Sequence, residues 1–168
     1  SQYLARMAQQ PCVQGKAMRI AVIGGGQSAA EAFIDLNDGF PAVQVDMILR
    51  GSALKPADDS PFVNEVFSPA FTDLVFQQVG AERERLIAEY QNTNYSVVDL
   101  ELIERIYGIF YRQKVSGTAR QAFRTLTVVE HVSASPLGIE LALRNNATGE
   151  TSVSHYDAVI LATGYERQ

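Results

Sequence analysis

Hydrophobic and polar positions follow two periods along this chain, and the change from one to the other predicts strands and helices in turn. The run MRIAVI (18–23) is apolar except for one arginine, as in a buried strand, and it breaks on three glycines. Residues 27–38 then repeat apolar side chains at helical spacing, and VQVDMILR (43–50) has the pattern of a second strand. These runs predict a β-α-β unit with parallel strands, the beginning of a Rossmann-like sheet.

The middle of the chain has a different pattern. The stretch LKPADDSPFVNEVFSPAF (54–71) is rich in Pro, Asp and Ser around aromatic residues, which predicts an ordered loop with short helical turns. A helix is predicted in AERERLIAEYQ (81–91). We expect a longer helix to begin near Ser96, because Ser96 and Asp99 have the spacing of a capping box with Asp in place of Glu. Apolar positions on one face continue this helix to Gly117.

Strand-like runs dominate the last third of the chain. FRTLTVVEHVSA, GIELALR and TSVSHY predict a small antiparallel meander with NNATG as a turn, and a final strand, DAVILAT, leads to Gly164. Together with the β-α-β unit, these runs predict an α/β fold. We expect a Rossmann-like parallel sheet with helices on both faces and a small antiparallel β-meander.

Length and composition limit the organisation and the partners of the chain. Its 168 residues, 46% of them hydrophobic, can bury one good core, so we expect one domain over 18–168. Residues 1–17 show little periodicity and include Pro11 and Gly15, which predicts a linker. The net charge of −5 argues against nucleic acid as a partner.

Four further features favour a cytoplasmic chain without a metal ion. Cys12 is the single cysteine, so no internal disulfide can form, and no Cys/His cluster has the spacing of metal ligands. The first residues contain no apolar leader segment, and no later run reaches the roughly 18 apolar residues of a membrane span. We expect no membrane span, and we leave the oligomeric state open, a homo-oligomer included.

The glycine-rich break after the first strand carries the clearest chemical signal. Gly24, Gly26 and Ala29 fit the pattern G-x-G-x-x-A between a strand and a helix. Gly24 permits a tight turn, Gly26 lets the backbone approach a pyrophosphate, and Ala29 lets the helix pack close to the strand. The N-terminus of that helix adds free N–H groups and a partial positive charge. The pattern predicts dinucleotide binding.

The end of the second strand indicates which dinucleotide binds. NAD-type sites place an acidic residue there to accept from the ribose 2′-hydroxyl, whereas NADP-type sites place an arginine near the 2′-phosphate. This strand ends on Arg50, 26 positions after Gly24 and a little beyond the usual spacing of about 20. We therefore predict NADPH, with Lys55 as a second candidate cation. The alternatives are a surface arginine and a solvated lysine.

Two alternatives remain beside this prediction. The turn GQSAA partly resembles a nucleophile elbow, with Ser28 as the nucleophile and His155 as the base. Asp99 or Glu130 would be the acid. However, the second glycine of that motif is Ala30 here, and too few residues precede Ser28 for the strands that normally lead to an elbow. The other alternative is a stand-alone NADP-binding module without catalysis.

Four motifs in order are more specific than the glycine pattern alone. VIGGGQSAAE, DDSPFVNEVF, NTNYSVVD and YDAVILATGYE together resemble the flavin-dependent N-hydroxylating monooxygenases of siderophore biosynthesis, and among them the bacterial L-ornithine N5-monooxygenases of the pyoverdine type. The resemblance runs from about Met18 to the last residue. It implies a much longer protein in which an NADPH-binding domain is inserted into an FAD-binding domain. This chain would be the insert, and residues 1–17 a linker from the missing flavin domain.

The resemblance also implies the cofactors and the reaction. NADPH would reduce FAD, which is bound mainly by the missing domain, and O2 would supply the oxygen added to the side-chain amine of L-ornithine. Gln27 and Ser28 would contact the phosphates and ribose of NADPH. Arg50 would bind the adenosine 2′-phosphate, and Tyr95 would lie beside the adenosine. No catalytic residue is assigned to this chain.

Residues outside the glycine pattern gain roles from the resemblance as well. Asn64 in FVNEVF and Asn94 in NTNYS would line the cleft shared by the nicotinamide and the amino-acid substrate. Without the resemblance, an asparagine in such a loop is more often a cap or a turn former. Thr163 and Gly164 would form a hinge near the flavin, whereas the pattern alone shows a strand end and a turn.

Overall fold

A computed structural model describes residues 2–90, 93 and 96–164. The helices are α1 (Gln2–Met7), α2 (Gln27–Gly39), α3 (Pro61–Asn64), α4 (Pro69–Gln77), α5 (Ala81–Glu89) and α6 (Leu100–Ser116), with 3-10 turns at Pro11–Gln14 and Glu65–Phe67. The strands are β1 (Met18–Ile23), β2 (Val43–Ile48), β3 (Ala122–Arg124), β4 (Thr127–Ser135), β5 (Gly138–Asn145), β6 (Thr151–Tyr156) and β7 (Ala158–Leu161). They form a four-stranded sheet in the order β3-β2-β1-β7 and a three-stranded sheet in the order β4-β5-β6.

The central strand of the first sheet is β1, which pairs in parallel with β2 on one side and with β7 on the other. Its side chains alternate between two faces. Ile20 and Val22 pack in one cluster with α2 and α6, whereas Ala21 packs in another with the antiparallel sheet. Because both faces are covered, β1 needs apolar residues on both, which explains its nearly continuous hydrophobic run.

One face of the parallel sheet is covered by α2 and α6. Phe33 of α2 is fully buried, and its ring stacks on Phe110 of α6 with the ring centroids 5.5 Å apart. Ile106 and Ile109 of α6 are buried on the same side, at helical spacing. Burial of one such large apolar side chain stabilises the fold by about 1.5–3 kcal/mol.

A buried polar cluster lies between the parallel sheet and the meander β4-β5-β6. Asp46 of β2 is only 3% exposed, and its carboxylate accepts from Arg19 at 2.6 Å and from Arg124 at 3.1 Å. The Tyr156 hydroxyl donates to the same oxygen at 2.8 Å. Burial, followed by the hydrogen bond to Asp46, raises the pKa of Tyr156 to about 12. The three donors keep the buried carboxylate paired.

The predicted α/β fold is confirmed. The β-α-β unit, the antiparallel meander with its turn at NNATG and the final strand all occur as predicted. In the described part of the chain, α2 and α6 share one face of the parallel sheet, and the meander covers the other face in place of a helix. Leu141, Leu143 and Tyr156 of the meander supply the apolar contact with Ala21 and its neighbours there.

Residues 1–17, which show little periodicity and were predicted to be a linker, are partly helical. This stretch contains α1 and a 3-10 turn, and Met7 and Cys12 are buried in the same cluster as α2. The Tyr3 hydroxyl also donates to the Asp35 carboxylate of α2. A helix of 6 residues depends on tertiary packing for its stability, and it is too short to show a clear period in its sequence. That the stretch links two domains stays a prediction.

The predicted capping box before α6 is wrong. Ser96 is exposed and has a φ of +58°, which is the left-handed region and not the start of a helix. The helix begins at Leu100, and Asp99 precedes it without a capping hydrogen bond from its side chain. The Asp99 carboxylate accepts from Gln27 of α2 instead. The C-terminal end at Gly117, with a φ of +68°, is as predicted.

The run FRTLTVVEHVSA divides into two strands that belong to different sheets. β3 pairs in parallel with β2, whereas β4 pairs with β5 in the meander. The break falls at Leu126, which has a φ of +52° and whose N–H donates to the Gly51 carbonyl. The residues on both sides are equally strand-like, so the pattern alone does not reveal the change of sheet.

Residues 61–89, which we call the helical segment, contain α3, a 3-10 turn, α4 and α5. No residue of these four elements is buried. The rings of Phe71 and Tyr90 meet edge to face with centroids 5.2 Å apart, which holds α4 against the end of α5. The predicted ordered loop with short helical turns and the helix after it are confirmed. Among the described residues, no helix is both long enough and apolar enough to cross a bilayer.

Candidate functional site

The glycine loop, residues 24–26, lies at the carboxyl end of β1 between the ends of β2 and β7. The Gly24 N–H donates to the Ile48 carbonyl at 2.9 Å, and the Ala162 N–H donates to the Ile23 carbonyl at 2.8 Å. Gly24 has a φ of +146°, and a β-carbon at this position would lie 2.2 Å from the Ala162 carbonyl oxygen. Any larger residue would collide with the end of β7, so Gly24 is required by the packing of the loop.

Gly26 has a different reason to be a glycine. It precedes α2 with a φ of −102°, a conformation open to any residue. Among described atoms, the nearest to a β-carbon placed there is the Ser96 Cα at 3.5 Å, an ordinary contact. The fold therefore tolerates a small side chain at this position. Because Gly26 has no side chain, a ligand can approach its backbone closely. Ala29, one turn on, is fully buried and lets α2 lie close to the sheet.

The first turn of α2 supplies hydrogen-bond donors beside the glycine loop. Gln27 and Ser28 are its first two residues, so their backbone N–H groups have no acceptor within the helix. The Ser28 side chain is exposed. The helix macrodipole places a partial positive charge at the same end. The turn can therefore bind phosphate oxygens.

Arg50 follows the end of β2 next to the glycine loop. Its neighbour Leu49 lies 3.4 Å from the position of a β-carbon on Gly25, so the two loops touch. Arg50 is exposed, and its guanidinium has no hydrogen bond or ion pair to any residue that the structure describes. It is therefore available to a phosphate group. Lys55, the second candidate cation, is exposed as well.

The only acidic residue of β2 does not reach this edge. Asp46 is buried between the sheet and the meander, where its carboxylate already accepts three hydrogen bonds. It cannot also accept from a ribose hydroxyl outside the carboxyl end of the strand. The end of β2 therefore offers a cation and no free carboxylate of its own, which favours a phosphorylated ribose.

The end of β7 completes this edge of the sheet. Thr163 and Gly164 follow β7 and are exposed, and Gly164 has a φ of +80°. The Ala162 carbonyl before them touches Gly24. The structure thus brings the glycine loop, Arg50 and Thr163 to the carboxyl ends of three neighbouring parallel strands, the edge at which open α/β sheets bind their ligands.

The residues predicted near the substrate and the adenosine are only partly described. Asn94 and Tyr95 lie outside the described residues. Asn64 is exposed in α3, where its side-chain N–H donates to the Asp59 carbonyl at 2.9 Å and its backbone N–H donates to the Ser60 carbonyl at 2.9 Å. These bonds close the turn at the start of α3. A place for Asn64 in a substrate cleft stays a prediction.

A contact that the sequence does not predict joins α2 to the start of α6. The Gln27 Oε1 accepts from the Asp99 N–H at 2.9 Å, and the Gln27 Nε2 donates to the Asp99 carboxylate at 2.9 Å. The same Nε2 donates to Glu31 at 2.9 Å. The pair is separated by 72 positions. No local signal marks it, because exposed polar residues near helix starts are common.

The structure gives the nucleophile-elbow alternative no support. Of its two candidate acids, Asp99 accepts from Gln27, the neighbour of Ser28, and Glu130 forms an ion pair with Arg144 across the meander. The candidate base, His155, has its Nε2 3.1 Å from a Glu140 carboxylate oxygen on the neighbouring strand. Each member of the proposed triad other than the serine is therefore held by a different partner.

Known proteins of one family match nearly the whole chain. The model of the L-lysine 6-monooxygenase/L-ornithine 5-monooxygenase family matches residues 1–167. An L-ornithine N(5)-monooxygenase from Pseudomonas aeruginosa is 73% identical over 168 residues, which are 100% of this chain and 38% of the relative. One from Burkholderia cepacia is 51% identical over 154 residues, or 91% of this chain and 35% of the relative. The chain thus spans less than two fifths of the length of these curated relatives.

Solved structures have the same fold. An ornithine hydroxylase from Pseudomonas aeruginosa superposes with a TM-score of 0.90 at 69% identity, over 99% of this chain and 39% of that one. An ornithine N-hydroxylase from Kutzneria sp. 744, with reduced FAD, NADP+ and L-ornithine, gives a TM-score of 0.84 at 34% identity, over 89% of this chain and 36% of that one. The resemblance carried by the four sequence motifs is confirmed. Because the family model covers almost every residue, this chain belongs to the L-lysine 6-monooxygenase/L-ornithine 5-monooxygenase family.

Proposed function

We propose that this chain is the NADPH-binding part of an FAD-dependent monooxygenase that hydroxylates the side-chain amine of L-ornithine for hydroxamate siderophore biosynthesis. The observation that carries the proposal is the shared edge at which the glycine loop, the first turn of α2 and Arg50 meet. The identity of 73% to an L-ornithine N(5)-monooxygenase favours ornithine as the substrate. The Kutzneria relative, with its FAD, NADP+ and ornithine, supports the same set of ligands.

The donors at this edge fit NADPH. The backbone N–H groups of Gln27 and Ser28 would bind the pyrophosphate, to which Gly26 allows a close approach. The guanidinium of Arg50 would bind the 2′-phosphate as a charge-assisted pair. The buried, already paired Asp46 leaves β2 without an acceptor for the 2′-hydroxyl of NADH.

FAD fits this chain less well than NADPH does. Flavin supplies the electron transfer between the nicotinamide and O2 when it is bound. The described residues contain one glycine-rich turn between a strand and a helix, and NADPH is assigned to it. We therefore assign FAD mainly to the part of the full-length protein outside this chain, with Thr163 and Gly164 as its neighbours on this side.

Two asparagines are proposed to position the amino-acid substrate. A carboxamide can donate to the substrate carboxylate and accept from its α-ammonium group, which suits Asn64 and Asn94. The Asn64 side chain already donates one N–H to Asp59, so only its remaining donor and acceptor capacity is available. Held in place, the substrate amine gains the proximity advantage of an oriented reaction.

The test of the proposal is Arg50→Ala in this chain, with nucleotide binding measured by calorimetry. Because a hydrogen bond to a charged group contributes about 1.5–3 kcal/mol, NADPH affinity should fall by roughly ten- to a hundredfold, and NADH affinity should barely change. Arg112→Ala is the matched control. It removes the same charge from an exposed position near the C-terminal end of α6, away from the glycine loop.

Three results would contradict parts of the proposal. An equal loss for NADPH and NADH in Arg50→Ala would rule out the 2′-phosphate role. An equal effect of Arg112→Ala would mean that the loss reflects net charge and not a contact. The isolated chain should also purify without colour, and flavin absorbance at one flavin per chain would contradict the assignment of FAD to the rest of the protein.

A further inference from the structure

The Gln27 side chain has a partner for each of its polar atoms. Its Oε1 accepts from the Asp99 N–H, and its Nε2 donates to the carboxylates of Asp99 and Glu31, all at 2.9 Å. A primary amide has two N–H groups and one carbonyl oxygen, so both donors are in use. The side chain is therefore already engaged within the protein, and the part of Gln27 left for a phosphate is its backbone N–H.

A second contact lies next to this one. The Ser96 Cα is 3.5 Å from where a β-carbon of Gly26 would be, so the residues before α6 lie directly against the glycine loop. Ser96 holds a φ of +58°, which is unfavourable for a residue with a side chain and persists only where surrounding contacts impose it. Gln27 and Asp99 provide such contacts three residues further along the chain.

The connection continues to the start of the loop that leads into the helical segment. The Val98 N–H donates to the Lys55 carbonyl at 2.9 Å, and the Ala57 N–H donates to the Val98 carbonyl at 3.1 Å. Residues 96–99 therefore lie between the glycine loop on one side and residues 55–57 on the other. The Gln27 side chain joins residues 96–99 to α2 by hydrogen bonds.

Charge gives the contact a second effect. Asp99 and Glu31 place two carboxylates near the helix end proposed to bind phosphates, and like charges there would weaken phosphate binding. The Gln27 amide donates to both of them. It thereby fixes the carboxylates in one arrangement beside the helix end.

We propose that Gln27 is a positioning residue whose side chain locks residues 96–99 against the glycine loop, and that this lock sets the affinity of the loop for the phosphates of NADPH. The first half of this proposal, that Gln27 positions residues 96–99, rests on the contacts alone. The second half, the effect on the affinity for NADPH, rests on the proposed function.

Three variants of this chain test the lock. Gln27→Glu places a carboxylate against Asp99 and Glu31 and removes both donors. Gln27→Glu with Asp99→Asn restores a donor to the same pair and returns the net charge to its original value. Gln27→Glu with Glu31→Gln returns the net charge equally but leaves two carboxylates facing each other across the lock. Only the double variant with Asp99→Asn should recover the wild-type exchange rate and the wild-type affinity for NADP+.

The lock is read by hydrogen exchange at the backbone N–H of residue 99, which Gln27 accepts from in the wild-type chain. Like charges in contact near a protein surface should speed exchange about tenfold in Gln27→Glu and in the Glu31→Gln double variant. Exchange should return to the wild-type rate in the Asp99→Asn double variant. The dissociation constant for NADP+, measured by calorimetry, should follow the same order, with a rise of about tenfold and the same selective recovery.

Each other outcome overturns a stated part. Unchanged exchange in Gln27→Glu, or equal recovery in both double variants, would mean that the contact positions nothing and that net charge explains the effect. If hydrogen exchange changes as expected but the NADP+ dissociation constant is the same in all variants, the position of residues 96–99 does not set the affinity. If the wild-type chain binds no NADP+, the proposed function fails, together with the second half, while the exchange measurement still decides the lock.

Discussion

The parallel-sheet body and the helical segment stabilise their structures in different ways. In the body, β1, β2 and α2 bury most of their apolar side chains in one cluster. In the helical segment, no helical residue is buried, and Phe62 and Phe76 are 91% and 78% exposed. A hydrophobic core thus stabilises the body, whereas helix-capping hydrogen bonds and the contact between the Phe71 and Tyr90 rings stabilise the segment. Regions without a core open at low free energy.

The local bonds of the helical segment lie at its helix ends. The hydroxyl groups of Ser60 and Ser68 accept from the N–H groups of Val63 and Phe71, which caps α3 and α4. At the other end of α4, Arg83 donates to the carbonyls of the last turn. These contacts specify helices without holding the segment to the sheet.

The largest difference between the two regions should appear when one phenylalanine is removed from each. Phe33→Ala empties a fully buried site, so we expect the free energy of unfolding to fall by about 3–5 kcal/mol. Phe62→Ala removes the same atoms from an exposed site and should change it by less than about 0.5 kcal/mol. Urea denaturation of both variants measures the two values. Similar losses would show that the segment is packed as tightly as the body.

A smaller effect is expected from pH at the buried cluster of the body. The pKa of Tyr156 is about 12 in the folded chain, above the usual value of 10. The neutral hydroxyl therefore stabilises the fold fully below pH 10, and this contribution is lost as pH rises towards 12. The loss should be about 2–3 kcal/mol, seen as a steeper fall of stability in the wild-type chain than in Tyr156→Phe.

The control for this pH effect is Tyr107→Phe, which changes an exposed tyrosine of α6 and should keep the wild-type pH dependence. Denaturant unfolding at a series of alkaline pH values gives the comparison. If Tyr156→Phe lost stability over this range as steeply as the wild-type chain, the hydroxyl would not be held neutral by its burial and its bond to Asp46.

The smallest effect should come from one cap of the helical segment. Ser68→Ala removes the acceptor for the Phe71 N–H and should cost α4 about 1 kcal/mol. Hydrogen exchange in α4 should speed up by about fivefold, while the urea midpoint of the whole chain stays the same, because the segment opens separately. Ser52→Ala, an exposed control outside the segment, should change neither. A lower midpoint in Ser68→Ala would show that segment and body unfold together.

The parts of the fold that could be predicted are those with a local period. The β1-α2-β2 unit repeats apolar residues at strand and helix spacing, and the glycines between β1 and α2 mark the loop. The misses depend on distant contacts. Met7 and Cys12 stabilise their short helices by reaching the core of the body, and Ser96 takes a left-handed conformation where it meets the glycine loop.

In the candidate site as well, features with a local sequence signal could be predicted and contacts between distant residues could not. The glycine pattern and the arginine at the end of β2 are local signals, and the structure brings both to one edge. The Gln27–Asp99 contact spans 72 positions and leaves no local trace. Asp46 is a weak local signal of the buried cluster, since an acidic residue inside a mostly apolar strand is rarely buried without partners.

The pairing of β1 with β7 has a consequence for folding. Arg19 and Asp157, whose groups bond across these strands, are 138 positions apart, whereas β1 and β2 are joined by a single helix. Closing a long loop costs more chain entropy than closing a short one. The β1-α2-β2 unit can therefore assemble early. One edge of β1 stays unpaired until β7, near the other end of the chain, pairs with it. During synthesis on the ribosome, that edge is exposed to mispairing until β7 emerges.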